Sequence, residues 1–235
     1  MKQVFYSALL IMLIVIACKD DKKEEAPAQP VTRVPEDTVT TEHVDTVLSE
    51  ETLTYFNQSG FSQFAKSRIA EFDWSEFKLV NVWREDSMVI HTFNPKAGYF
   101  EAYGKFLKYS PDSTKFIDLD SYNIDIEKDK QGRWVGRGLG PDTEISMIDL
   151  ESKQKKRMVF VGPSGSIEEG AWLDNETLVL VGVHENATAT AKTAVVWKYH
   201  LPTNTFFLYE LPDPIAAEKL MGNWRKERLK GLRME

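Results

Sequence analysis

Two stretches of the chain repeat one plan, and that repeat constrains the fold more than any other feature. In the first, Phe106–Tyr109 meets the turn Ser110-Pro111-Asp112-Ser113 and continues as Lys115–Asp120. Ile145–Leu150 then meets the polar turn Glu151–Lys155 and returns as Arg157–Val161. In the second, Gly170–Leu173, Asp174-Asn175 and Thr177–Val183 precede Thr193–Leu201, Pro202-Thr203-Asn204 and Thr205–Leu211. Each break carries turn chemistry: Pro presets φ, and Asp and Asn bond their own backbone. Phe116 aligns with Leu178 and Leu150 with Leu201, so units at 105–161 and 168–211 each hold four predicted strands. Thr193, Val195, Trp197, Tyr199 and Leu201 share one face of a strand.

Upstream, Phe61, Phe64, Ala65, Ile69 and Phe72 follow helical spacing, which predicts a helix over 61–72 after Ser59-Gly60 and a short one near 49–57. Phe77–Trp83 and Met88–Phe93 read as strands. Asn94-Pro95-Lys96-Ala97-Gly98 is a turn, and Tyr99–Tyr103 is the predicted returning strand. At the other end Asp213 suits a helix cap, Pro214 the first helical position and Gly231 a stop, which predicts a helix over 214–229. Residues 214–235 hold six Lys or Arg and three Glu. That helix either docks with Trp224 on the sheet and its charges in water, or lies on an anionic membrane surface.

The string Tyr109-Ser110-Pro111-Asp112-Ser113-Thr114-Lys115-Phe116 resembles the strand-turn signature of WD40-like and TolB-like propeller repeats. The resemblance implies a mostly β fold of antiparallel, blade-like hairpin repeats with a helix at each end. Residues 72–211 hold three such units at most, and a closed propeller takes four or more blades. The expectation is an open stack, or a sandwich of similar hairpins. Its edges need cover from the helices or from oligomerisation.

The first residues read as an address. Lys2 supplies a positive start, Val4–Ile16 an apolar run too short to span a bilayer, and small Ala17 precedes Cys18. Val15-Ile16-Ala17-Cys18 resembles the lipobox of bacterial lipoproteins, which implies cleavage before Cys18 and lipidation of that residue. It is the single cysteine of the chain, so no internal disulfide framework and no multi-cysteine zinc site is available. Lys19-Asp20-Asp21 resembles the surface-export signal of Bacteroidetes lipoproteins, which implies an outer-membrane protein displayed outside or facing the periplasm. Asp37-Thr38-Val39 and Asp45-Thr46-Val47 resemble the O-glycosylation pattern of the same group. From Lys19 to Thr54 there is no aromatic residue, and Pro27, Pro30 and Pro35 break helix. Such a stretch cannot offset chain entropy by burial. As a tether of about 30 residues it reaches on the order of 30 Å. The chain divides into a signal at 1–17, a lipidated Cys18 with tether to 48, a β domain over 49–213 and a helix over 214–235.

The formal charge of −7 lacks the basic footprint of a nucleic-acid binder. His43, His91, His184 and His200 are scattered and form no metal-binding pair. Gly162-Pro163-Ser164-Gly165-Ser166 lacks the context of a nucleophile elbow, and Gly136-Arg137-Gly138-Leu139-Gly140 lacks the partners of a phosphate loop. Neither a cofactor nor a catalytic residue is called for. Carboxylates are the fullest class: Asp118, Asp120, Asp125, Glu127 and Asp129 cluster with Asn123. Asp118, Asp120, Asn123 and Asp125 are candidate ligands for a hard cation. Asp118 and Asp120 share a strand face, either the wet face or an acid pair for glycan hydrolysis. Trp134 is expected exposed in a Gly-rich loop, where Arg133 and Arg137 would make it a hot spot for a protein partner or glycan. The expected role is a non-catalytic, lipid-anchored envelope binding module. An envelope hydrolase or a Ca²⁺ or small-ligand module are the alternatives.

Overall fold

The structure, a computed structural model, describes residues 45–185, 191–212 and 217–235. Cys18, the charge run after it, most of the tether and the Asp213-Pro214 helix start lie outside the described residues. In chain order the helices are α1 (Glu50–Gln58), α2 (Phe61–Arg68), α3 (Tyr99–Tyr103) and α4 (Asn223–Arg228). The strands are β1 (Lys78–Arg84), β2 (Ile90–Thr92), β3 (Lys108–Tyr109), β4 (Lys115–Asp118), β5 (Ile124–Lys128) and β6 (Trp134–Gly138). They continue as β7 (Thr143–Asp149), β8 (Gln154–Val161), β9 (Ser166–Trp172), β10 (Thr177–Glu185), β11 (Lys192–His200), β12 (Thr205–Glu210) and β13 (Arg233–Met234).

The fold is mostly β, and its two large sheets are antiparallel and open. Their orders are β2-β8-β7-β4-β3 and β1-β12-β11-β10-β9. Each is one repeat unit plus an outer strand taken from the segment before both units. Corresponding bonds recur in the two units. Leu150 N–H donates to the Thr114 carbonyl at 2.9 Å, and Leu201 N–H to the Glu176 carbonyl at 2.8 Å. Lys153 and Asn204 close equivalent turns with φ of 54° and 51°. The carbonyls of these two residues accept from Phe93 N–H after β2 and from Glu85 N–H after β1. The outer strands therefore dock in one register, which extends the repeat to five strands. A bond of 2.9 Å from Asp112 N–H to Asn175 Oδ1 ties the first turns of the two units together.

Both faces of both sheets are apolar, and this fixes the layering. Leu178, Leu180, Val195, Trp197 and Tyr199 face Ile117, Ile145 and Met147 of the other sheet. On the opposite face of the second sheet, Val179, Val181, Val183, Ala194 and Val196 lie under Phe56, Phe61 and Trp74. The first sheet turns Phe116 and Ile148 outward onto α3, β5 and the C-terminal Leu229 and Leu232. In a closed propeller a further blade would cover each outer face; here helices and a small sheet do so. Gly182 sits at a bulge of β10 against β9. A Cβ there would lie 2.1 Å from the Ser166 carbonyl oxygen. Gly182→Ala should therefore cost roughly 1–3 kcal/mol through backbone displacement, read by urea unfolding.

Three expectations change. Tyr99–Tyr103 is helix α3, not a returning strand: Gly98 takes φ 83° at its N-cap, and the Tyr99 and Tyr103 rings pack, tilted, one turn apart at 5.1 Å. Strand β2 pairs with β8 instead. The helix over 61–72 stops at Arg68, where Ile69 turns extended. The C-terminal helix is interrupted: a single 3-10 turn at Ala217–Lys219 is followed by Gly222 at φ 65° and then α4. Before α1, Leu79 N–H bonds the Thr46 carbonyl, the Tyr209 hydroxyl bonds that of Asp45, and Leu48 is buried.

Candidate functional site

An open groove of about 820 Å³ lies where the hairpin inserted between β4 and β7 meets α3 and the 92–98 loop. The hairpin is β5 and β6, with Lys128 directly opposite Trp134. Strand β13 pairs parallel to β6 and makes this a three-stranded sheet. Two tyrosines, buried Tyr103 and half-buried Tyr99, fix the groove. The Tyr103 hydroxyl donates to the Ile124 carbonyl at 2.8 Å and accepts from Ile126 N–H at 3.1 Å, which ties α3 to β5. The Tyr99 hydroxyl donates to Asp118 Oδ2 at 2.6 Å. Burial and the adjacent Asp118 carboxylate push the Tyr99 phenol far above its ordinary range, so it remains a donor.

Asp118 is held from three further directions. Its Oδ1 accepts from Asp120 N–H and Ser121 N–H, and its Oδ2 from the Ser121 hydroxyl. The rest of the wall mixes rings with polar groups. Phe93, Tyr99, Tyr103 and Trp134 contribute aromatic surface, while Asn94, Ser121 and Asp125 contribute hydrogen-bonding groups. Three carboxylates (Asp118, Asp125, Glu127) are balanced by three amines (Lys96, Lys128, Lys155). Lys155 also reaches Glu144 at 3.3 Å. Burial raises the Glu144 carboxyl, but Ser146, Lys155 and Arg157 outweigh it and hold the pKa below its ordinary value.

The sequence-predicted residues divide between this groove and a second place. Asp118, Asp125 and Trp134 line the groove, whereas Asp120, Asn123, Arg133 and Arg137 do not. Asp118 and Asp120 do not share a wet face, since both are buried. Asp120 turns into a bidentate pair with Arg228 at 2.6 and 2.8 Å, so the two acids do not face each other across one cleft. Asn123 is buried and its Oδ1 has no partner. Among the described residues no three histidine, cysteine or carboxylate side chains converge as metal ligands. Trp134 begins strand β6 and is half-buried rather than exposed in a loop. Arg133 clamps Asp129, and Arg137 bridges Glu127 and Glu235.

The second place is a buried charge network under α4. Glu168 accepts from the Ser166 hydroxyl and from Gly222 N–H. Glu169 accepts from Trp224 Nε1 at 2.9 Å and pairs with Lys108 at 3.3 Å. Arg225 reaches Thr143 and lies 3.8 Å from Asp120. Burial opposes the charge on Arg228, but Asp120, Glu169 and Glu168 together outweigh it and hold the guanidinium more firmly protonated than usual. Trp224 packs on Phe61 and Phe64 of α2 while its Nε1 bonds Glu169 of β9, and two of the helix's charges face inward. The i, i+3 pair Arg225 and Arg228, set against Glu168-Glu169 inside an otherwise apolar strand, is the sequence signal for this lock. The Tyr99 and Tyr103 spacing is the signal for the groove's helix. No protein-family model, curated protein or solved structure matches the chain.

Proposed function

We propose that this chain is a lipid-anchored binding module of a bacterial cell envelope, lipidated at Cys18, and that the groove beside Trp134 holds a segment of non-acidic glycan. The lipobox and the aromatic-free tether support the anchor. No helix among the described residues is long and apolar enough to cross a membrane. One observation carries the ligand class: the groove combines four aromatic rings with hydrogen-bonding side chains and equal numbers of opposite charges. Aromatic faces pack on the apolar faces of sugar rings, and the polar groups satisfy hydroxyls. A balanced wall offers no net attraction to a polyanion. The tether would carry the groove clear of the lipid surface, and the anchor would raise its local concentration.

Two measurements test this reading. Labelled palmitate should enter the wild-type protein in cells and be absent from Cys18→Ser. The full-length protein in detergent should capture non-acidic oligosaccharides on a glycan array, and Trp134→Ala should weaken that capture about ten-fold. Capture at full strength by Trp134→Ala would remove the groove from the argument. A protein partner cross-linked near the groove, with no glycan bound, would replace the glycan reading.

A further inference from the structure

The face of Trp134 already carries a cation from its own chain. Lys128 Nζ lies 4.7 Å from the Trp134 ring centroid and 2.5 Å from Glu101 Oε1. Three elements build this arrangement. The β5–β6 pairing puts Lys128 opposite Trp134, and α3 delivers Glu101 from the other side. Gly132, at φ 77°, and the Asp129–Arg133 clamp close the hairpin turn below them. An aromatic face with a carboxylate beside it is a cradle for an ammonium group, the ring supplying its quadrupole and the carboxylate its charge.

We propose that Trp134 and Glu101 form an ammonium subsite at the end of the groove, filled in the free protein by Lys128. It would accept the amine of an amino-sugar residue within the bound glycan. This rests on the glycan reading above and narrows its ligand class. Lys128 is suited to leave. Its side chain is 47% exposed and that of Glu101 61%, so the pair is screened by water and readily exchanged. The tethered amine competes at high effective concentration, so it weakens binding of an external amine without changing the cradle. A neutral ring that stacks on the same face also displaces it, without replacing its charge contact. An incoming ammonium takes over both contacts, and Lys128 moves into solvent.

The test uses the full-length protein in detergent, at mildly acidic pH where sugar amines carry their proton. Calorimetry compares a β-1,4-linked glucosamine tetramer with its N-acetylated counterpart. Lys128→Gln should bind the amine form about ten-fold more tightly than the wild type does, because the internal competitor is gone. The double variant Glu101→Gln with Lys128→Gln should lose that gain. A gain that survives in the double variant would mean general attraction to an acidic protein and would overturn the subsite. If the acetylated tetramer binds but the amine form gains nothing in Lys128→Gln, the subsite falls and the glycan groove stands. If neither tetramer binds any form of the protein, the groove reading falls and takes the subsite with it.

Discussion

Arg228→Met should lower the unfolding free energy by about 3–5 kcal/mol, one of the two largest effects expected of any single side chain here. Asp120 and Arg228 are 2% and 7% exposed, and both oxygens of the carboxylate are used by the guanidinium. Removing the cation leaves a buried carboxylate whose nearest remaining positive group is Arg225 at 3.8 Å. That contact is too long to replace two short charge-assisted hydrogen bonds. For a domain of this size each kcal/mol moves the melting temperature by about 2–4 °C, so the fall should be roughly 6–20 °C. Urea titration and calorimetry read both quantities. Pairing Arg228→Met with Asp120→Leu should recover much of the loss, because a buried ion pair replaced by apolar groups is often neutral. Arg133→Met is the contrast: Arg133 is 62% exposed, and its loss should leave the melting temperature where it is. Equal effects for Arg228 and Arg133 would mean that α4 is not locked through Asp120.

The same network shows where sequence reading stops. The run Leu178–Val183 is apolar at successive positions apart from Gly182, and the structure buries it on both faces. Continuous apolarity of that kind is legible, and so are hairpin turns whose residues have local reasons to turn. Both repeat units and both turn equivalences were therefore readable from one chain. The fifth strand of each sheet was not, because the pairing of β1 with β12 is set across more than a hundred residues by a register that no local pattern announces. Tyr99–Tyr103 is aromatic enough for a strand, and only the φ of Gly98 and the packing of Phe93, Phe100 and Phe116 decide for helix. Asp118 and Asp120 look alike in sequence. Their difference comes from what arrives opposite each, Tyr99 from one side and Arg228 from the far end of the chain. Charge is expected in water unless a partner is known, and the partner lies 108 positions away.

Phe56→Ala should destabilise the protein by about 3–5 kcal/mol, and it should also make the protein associate with itself. Phe56 is fully buried, stacks on Trp74 at 5.0 Å and contacts Phe61 at 5.9 Å. These rings form the lid over Val179, Val181, Val183, Ala194 and Val196. In a propeller that face would meet another blade, and every blade would be identical in this respect. Here the series of sheets ends at two because α1 and α2 supply an aromatic surface where a third sheet would stand. Loosening the lid therefore uncovers the part of an apolar sheet face that Ala217 and Leu220 do not cover, which is a surface prone to association. Dye binding to exposed apolar surface should rise, and light scattering should show larger species below the unfolding midpoint. Phe160→Ala, at a position already 45% exposed, should do neither. A Phe56→Ala protein that is less stable but no more associated than the wild type and binds no dye would mean that the sheet face remains covered. The helices would then contribute packing energy without being what ends the stack. Association in Phe56→Ala and not in Phe160→Ala would show that the helical cap is the reason two blade-like sheets stand alone.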